Sequence, residues 1–177
     1  MKKLVILVGF VFLLMSCTSH SVTITYEPNG GTVYDNQLTV VVNSNSPQFE
    51  PTIPQKMNFI FAIWYVDENL TVPFTTDMLL ENDSLTLYAR YIAADQEDEF
   101  LVEFIAMGGT FTPNQVIPSG GLLVEPAAPI KDGYTFLYWE YVNSNSNKTG
   151  AVNFLEPITE NLRLEAIYAA DGSSAKR

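Results

Sequence analysis

One cysteine, one histidine and nine basic residues are all that 177 positions supply, and each scarcity removes a class of function. The lone cysteine, Cys17, leaves no intramolecular disulfide and no thiolate metal cage. The lone histidine, His20, precedes every strand-like segment. Neither a Ser-His-Asp nor a Cys-His arrangement can therefore form in the body of the chain, and a histidine zinc site fails for the same reason. Positive charge is equally scarce: from Cys17 onward seven Lys and Arg face twenty acids, a formal charge of −13. Nucleic acids are held by clustered Lys and Arg, so they are excluded as partners. The same balance opposes lying flat on an anionic bilayer. The pairs Gly30-Gly31, Gly108-Gly109 and Gly120-Gly121 lack phosphate-loop spacing and a following lysine, and no cofactor is expected.

What the N-terminus does contain is short and specific. Met1-Lys2-Lys3 is followed by an apolar run from Leu4 to Met15, twelve residues where a spanning helix needs about 20. That length fits the apolar region of a signal peptide. The run ends in Leu14-Met15-Ser16-Cys17, which resembles the bacterial lipobox. The resemblance implies cleavage between Ser16 and Cys17, a diacylglyceryl thioether on Cys17, and attachment to the outer, extracytoplasmic face of the cell membrane. Residues 1–16 are then a leader. Residues 17–21 are a polar tether whose last four residues reach at most about 14 Å.

The rest of the chain is rich in aromatic and apolar residues, with 9 Tyr, 11 Phe and 47% hydrophobic positions, enough for a packed core. It also repeats itself at an offset of 75 to 80 residues. Val22, Ile24 and Tyr26 alternate as do Phe100, Val102 and Phe104, the two-residue period of a half-buried strand. Gly30-Gly31-Thr32 and Gly108-Gly109-Thr110 follow at the same spacing and read as hairpin turns. Pro51 and Pro54, then Pro126 and Pro129, oppose a regular helix ahead of the next strand. That strand is aromatic at alternate positions and ends in Trp64 or Trp139. The closing strands agree best: Leu85, Leu87, Ala89 and Tyr91 recur as Leu162, Leu164, Ala166 and Tyr168. Their intervening residues suit solvent. The expected organisation is module 1 over 22–92, a linker over 93–99, module 2 over 100–170 and a tail over 171–177. The fold class is mainly β, α+β at most.

Pro28-Asn29-Gly30-Gly31-Thr32, Trp64-Tyr65-Val66-Asp67 and Leu87-Tyr88-Ala89-Arg90-Tyr91 together resemble the Listeria–Bacteroides repeat, also called the internalin B-repeat. The second unit supplies Gly108-Gly109-Thr110, Asp132 to Phe136, and Trp139. The chain departs from the family pattern at Asn58-Phe59, Met107, Ile63, Tyr138, Tyr91 and Tyr168. The resemblance implies two tandem β-grasp-like modules, used as spacers or adhesive units on bacterial surfaces, and no enzyme activity.

Candidate sites are few. Asp95, Glu97, Asp98 and Glu99 lack the acid order and central glycine of an EF-hand and read as a solvated linker rather than a metal site. Trp64 and Trp139 read as core residues, with sugar stacking or partner anchoring as the alternative. The loops after them are the candidate binding surface: Asp67 and Glu68 in one copy, Asn143 and Asn145 in the other. The expected function is a non-catalytic, lipid-anchored surface protein that spaces or binds a protein partner. The alternative is a glycan- or solute-binding lipoprotein with a concave site between modules lined by Tyr138 and Tyr141. An unrecognised carboxylate hydrolase is the third class.

Overall fold

The computed structural model describes residues 19–46, 48–142 and 148–172. Alternation decides the first strand: in β1 (Ser21–Glu27), Val22, Ile24 and Tyr26 are buried on one face. It is followed by β2 (Thr39–Asn43), β3 (Phe59–Tyr65), a single helical turn α1 (Met78–Glu81) and β4 (Ser84–Ala93). The sheet order is β2-β1-β4-β3, with β1 parallel to β4 and the outer strands antiparallel to their neighbours. The second copy builds the same sheet from β5 (Glu99–Ile105), β6 (Gln115–Pro118), β7 (Tyr134–Tyr141) and β8 (Leu162–Ala170), in the order β6-β5-β8-β7. A parallel central pair flanked by antiparallel strands is the β-grasp arrangement. The crossovers from β2 to β3 and from β6 to β7 carry no helix among the described residues, as Pro51, Pro54, Pro126 and Pro129 dictate.

Each sheet has its own core. Leu87 and Ala89 of β4 pack with Val22, Ile24, Trp64, Phe74 and Leu79, and in the second sheet Leu164 and Ala166 pack with Val102, Ile117 and Trp139. Truncating a fully buried leucine of this kind to alanine costs about 2–5 kcal/mol.

Two expectations change, and a bulge sets the facing of each tryptophan. The glycine pairs do not close two-residue hairpins, because β1 and β2 are joined by the long connection from Pro28 to Leu38. Instead Pro28–Gly31 is a tight turn whose central residues, Asn29 (φ 44°) and Gly30 (φ 82°), are both left-handed, and Thr32 then pairs with Gln55. Strict alternation along β3 would also put Trp64 on the face opposite Phe61. A β-bulge between Phe61 and Ile63, matched by one between Phe136 and Tyr138, returns each tryptophan to its core. Finally, His20 is not in a free tether: its backbone exchanges hydrogen bonds with Ser44, and its ring contacts the Asn82 carbonyl oxygen at 3.1 Å.

Candidate functional site

The residues between the inward positions of β4 do not all meet water. The outer face of β3 and β4 is covered by the second module, and Ala62, Ile63, Tyr65, Ile92 and Leu101 form a buried cluster across the junction, flanked by Ile60, Leu70 and Val116. The bulge positions Ala62 and Ile63 for this, because the residues displaced from the core face turn outward. Polar contacts fix the register. Asn114 donates to the Ala62 carbonyl (2.8 Å) while accepting from the Phe104 amide (3.1 Å). Arg90 pairs with Glu99 at 2.7 Å, and Gln48 donates to the Gly108 carbonyl at 2.9 Å. Glu99, expected in the linker, is therefore the first residue of β5 and a junction group.

Beside the junction lies a cleft of about 280 Å³ lined by Glu50, Phe61, Glu103, Phe111, Asn114 and Arg163 among others. Its lining contains no histidine, cysteine or serine. Two carboxylates, a guanidinium and aromatic rings can hold a small polar ligand. Tyr138 and Tyr141, expected to line such a site together, do not reach it. Three positions apart on β7, they face opposite ways: Tyr138 stands across from Ile167 on the outer face, Tyr141 across from Leu164 on the core side. Tyr138 is exposed, whereas Tyr141 is half-buried under Lys148, whose ammonium lies 5.5 Å from its ring centre.

Asp67 is occupied by its own loop. Its carboxylate accepts from the amides of Thr71 and Val72 and from the Thr71 hydroxyl, at 2.6–3.1 Å. Desolvation pushes its pKa up, but the hydrogen bonds from Val72, Thr71 and Asn69 together outweigh that and hold it below the usual carboxylate value. Glu68 beside it is exposed. Asn143 and Asn145 lie outside the described residues, as do Leu14, Met15, Ser16 and Cys17. Trp64 and Trp139 are both buried. Among the described residues, no three His, Cys, Asp or Glu are grouped to hold a metal ion, and no helix is long and apolar enough to cross a membrane.

One constellation was missed by reading the sequence. In module 1, Lys56 donates to the Asn29 carbonyl (2.9 Å) and sits over the rings of Phe59 and Tyr91. The Tyr91 hydroxyl donates to the Pro28 carbonyl, and a Cβ on Gly31 would stand 2.1 Å from that hydroxyl oxygen. Module 2 repeats the corner with Lys131, Met107, Tyr134, Tyr168 and Gly109. So the second glycine of each pair is required for space, and the lysine locks the turn to the aromatic strand. The available signal was a lysine three residues ahead of each aromatic strand in a chain with few bases.

Comparison with known proteins agrees with this doubled architecture. The Listeria-Bacteroides repeat domain matches residues 23–90 and again 100–167. Over 148 residues, 83% of the chain, it is 30% identical to a protein of Evansella cellulosilytica named as a membrane protein. A protein of the same organism named as a Gly-rich membrane protein is 27% identical over 66% of the chain, and Internalin H of Listeria monocytogenes is 33% identical over 63%. The matched regions span only 21%, 13% and 20% of those longer relatives. Two matches of the repeat, each coinciding with one four-stranded sheet, establish that the chain belongs to the Listeria-Bacteroides repeat family.

Proposed function

We propose that the protein is a non-catalytic surface protein, held by lipid on Cys17 at the extracytoplasmic face, that works as a spacer and protein-docking unit. The observation that carries this reading is the closed junction between modules. Ala62, Ile63, Tyr65, Ile92 and Leu101 are buried there, and Arg90 is paired with Glu99. A joint of this kind makes one stiff unit from two modules, as a spacer requires. Because His20 is already fixed to Ser44, only Thr18 and Ser19 separate Cys17 from the folded module. Their span is about 10 Å at full extension, so module 1 sits against the headgroups. The relatives named as membrane proteins and the internalin support a membrane or surface location.

Fractionation of cells producing the full chain and Cys17→Ala tests the anchor. The variant should move to the medium or the soluble fraction; retention in the membrane would refute lipid attachment. Labelled protein beginning at His20, applied to whole cells and matrix proteins, tests docking through saturable binding competed by unlabelled protein.

A second reading, capture of a small glycan or solute, is favoured by the cleft beside the junction. Saturable binding on a glycan panel that is lost in both Phe111→Ala and Glu103→Gln would establish it.

A further inference from the structure

We infer that the cleft beside the junction takes a small zwitterion, an amino acid or dipeptide with an apolar side chain. Its carboxylate meets Arg163 and its ammonium meets Glu103 and Glu50. This assignment rests on the small-ligand reading of the cleft and narrows it to one chemistry. Arg163 is the starting point. Lys56 and Lys131 donate to backbone carbonyls, while Arg90 and Lys148 pair with carboxylates. Among the described residues, Arg163 is the one Lys or Arg whose side chain has no such partner. Glu103 stands directly across from it on the neighbouring parallel strand, yet no ion pair joins the two. Glu50, at the same cleft, has no ion pair either.

Packing alone does not call for these charges. The equivalent cross-strand pair in module 1 is Thr25 and Thr86, which is uncharged. Module 2 carries full charges at the same two positions, and Glu103 is half-buried. A charge that loses water without gaining a partner is costly. Thr112 adds a hydroxyl: it is 5% exposed, lines the cleft and has no hydrogen-bond partner among the described residues. Phe61 and Phe111 supply apolar walls, the first braced by Trp64 and the second by Phe74.

This set of groups decides between ligand classes. A neutral sugar would displace water from a guanidinium and two carboxylates and leave all three charges unpaired. An anion meets Glu50 and Glu103 at close range and a chain of charge −13 at long range. A cation would lie beside Arg163 without pairing it. A zwitterion answers both signs at no net charge, and a planar carboxylate suits the guanidinium fork. The volume of about 280 Å³ limits the ligand to one or two residues.

Isothermal titration of the chain beginning at His20 tests the inference. The probes are phenylalanine, alanyl-phenylalanine, phenylalanine amide and N-acetylphenylalanine, with N-acetylglucosamine oligomers as neutral sugars. Phenylalanine or alanyl-phenylalanine should bind saturably. The amide and the N-acetyl compound should each bind about 10- to 100-fold more weakly than phenylalanine, the loss of one charge-assisted hydrogen bond. Arg163→Gln should erase the preference for the acid over the amide while keeping the preference for the free amine. Glu50→Gln combined with Glu103→Gln should do the reverse, and both variants should keep the thermal midpoint. A merely structural role would instead weaken every probe equally, and that result would overturn the inference. Equal affinity for phenylalanine and its amide would overturn it too. Sugar binding without zwitterion binding would overturn it and leave the small-ligand reading standing, whereas binding of neither would remove both.

Discussion

Adding one methyl group at Gly109 probes the corner that both modules share. A Cβ there would stand 2.2 Å from the Tyr168 hydroxyl oxygen, with the Ala106 carbonyl oxygen and Pro129 Cβ each at 3.2 Å. Gly109 does not occupy the left-handed region, so alanine brings no backbone strain and the effect is steric. Overpacking of this kind costs about 1–3 kcal/mol. Tyr168→Phe removes the clashing atom but also the hydrogen bond to the Ala106 carbonyl (2.7 Å), a loss of about 0.5–1.5 kcal/mol. If the hydroxyl is what the glycine makes room for, Gly109→Ala adds almost nothing once Tyr168 is phenylalanine. The double variant should then match Tyr168→Phe alone, a coupling of about 1–3 kcal/mol.

Urea denaturation of the four chains, all in a Trp64→Phe background so that Trp139 fluorescence reports on module 2, measures the cycle. Additive costs would refute the reasoning, and an unaffected Gly109→Ala would show that the corner opens freely. The twin cycle at Gly31 and Tyr91, read from Trp64 in a Trp139→Phe background, should recover less. There the backbone oxygen of Gln55 remains 2.8 Å from the new Cβ after the hydroxyl is gone.

Three further outcomes rest on the same contacts. Trp64 donates to the Thr52 carbonyl at 2.9 Å, whereas the buried Trp139 indole N–H has no partner among the described residues. Trp64→Phe should accordingly cost about 1–3 kcal/mol more than Trp139→Phe in calorimetric unfolding, and equal costs would contradict that difference. Lys131→Met keeps the aliphatic stem but removes the cation over Tyr134 and Tyr168 and the bond to the Met107 carbonyl; thermal denaturation should show a loss of about 1–2 kcal/mol. Burial raises the pKa of Tyr26, Tyr91 and Tyr168 above 10.0. The unfolded chain thus releases those protons first: stability is intact below about 10 and falls as pH rises through the higher folded values. Urea midpoints on either side of that range, with phenolate absorbance tracked in parallel, would detect it.

The sheets were legible because their evidence is periodic. Leu162, Leu164, Ala166 and Tyr168 restate Leu85, Leu87, Ala89 and Tyr91 at the same alternate positions, and the leucines and alanines nearest the tryptophans are buried in the two cores. The bulges were not legible, since an extra residue leaves composition unchanged and reverses the facing of every later position in the strand. The junction was hidden for a different reason. Ile63 and Tyr138 occupy one position of the repeat, yet one is buried by a neighbouring module and the other is exposed. Burial there depends on whether another module packs against the strand, which local pattern does not encode. The loop residues failed individually: Asp67 reads as an exposed acid but is consumed by four hydrogen bonds within its own turn.

The placement of positive charge narrows what the surface can bind. Lys56 and Lys131 lie in the two corners, Arg90 faces Glu99, Lys148 pairs with Glu156 at 2.8 Å, and Arg163 borders the cleft. Each base among the described residues from His20 to Ala170 is thus committed to an internal contact or to the cleft. No cluster of them faces outward to hold an anionic polymer, which requires several together. The remaining exposed surface is acidic or neutral: Glu68, the acids between β4 and β5, and the Leu137–Tyr138 strip. Long-range attraction therefore selects basic partners. Capture of a basic protein therefore weakens as ionic strength rises, and a partner whose binding is unchanged across a salt series is not held by this charge.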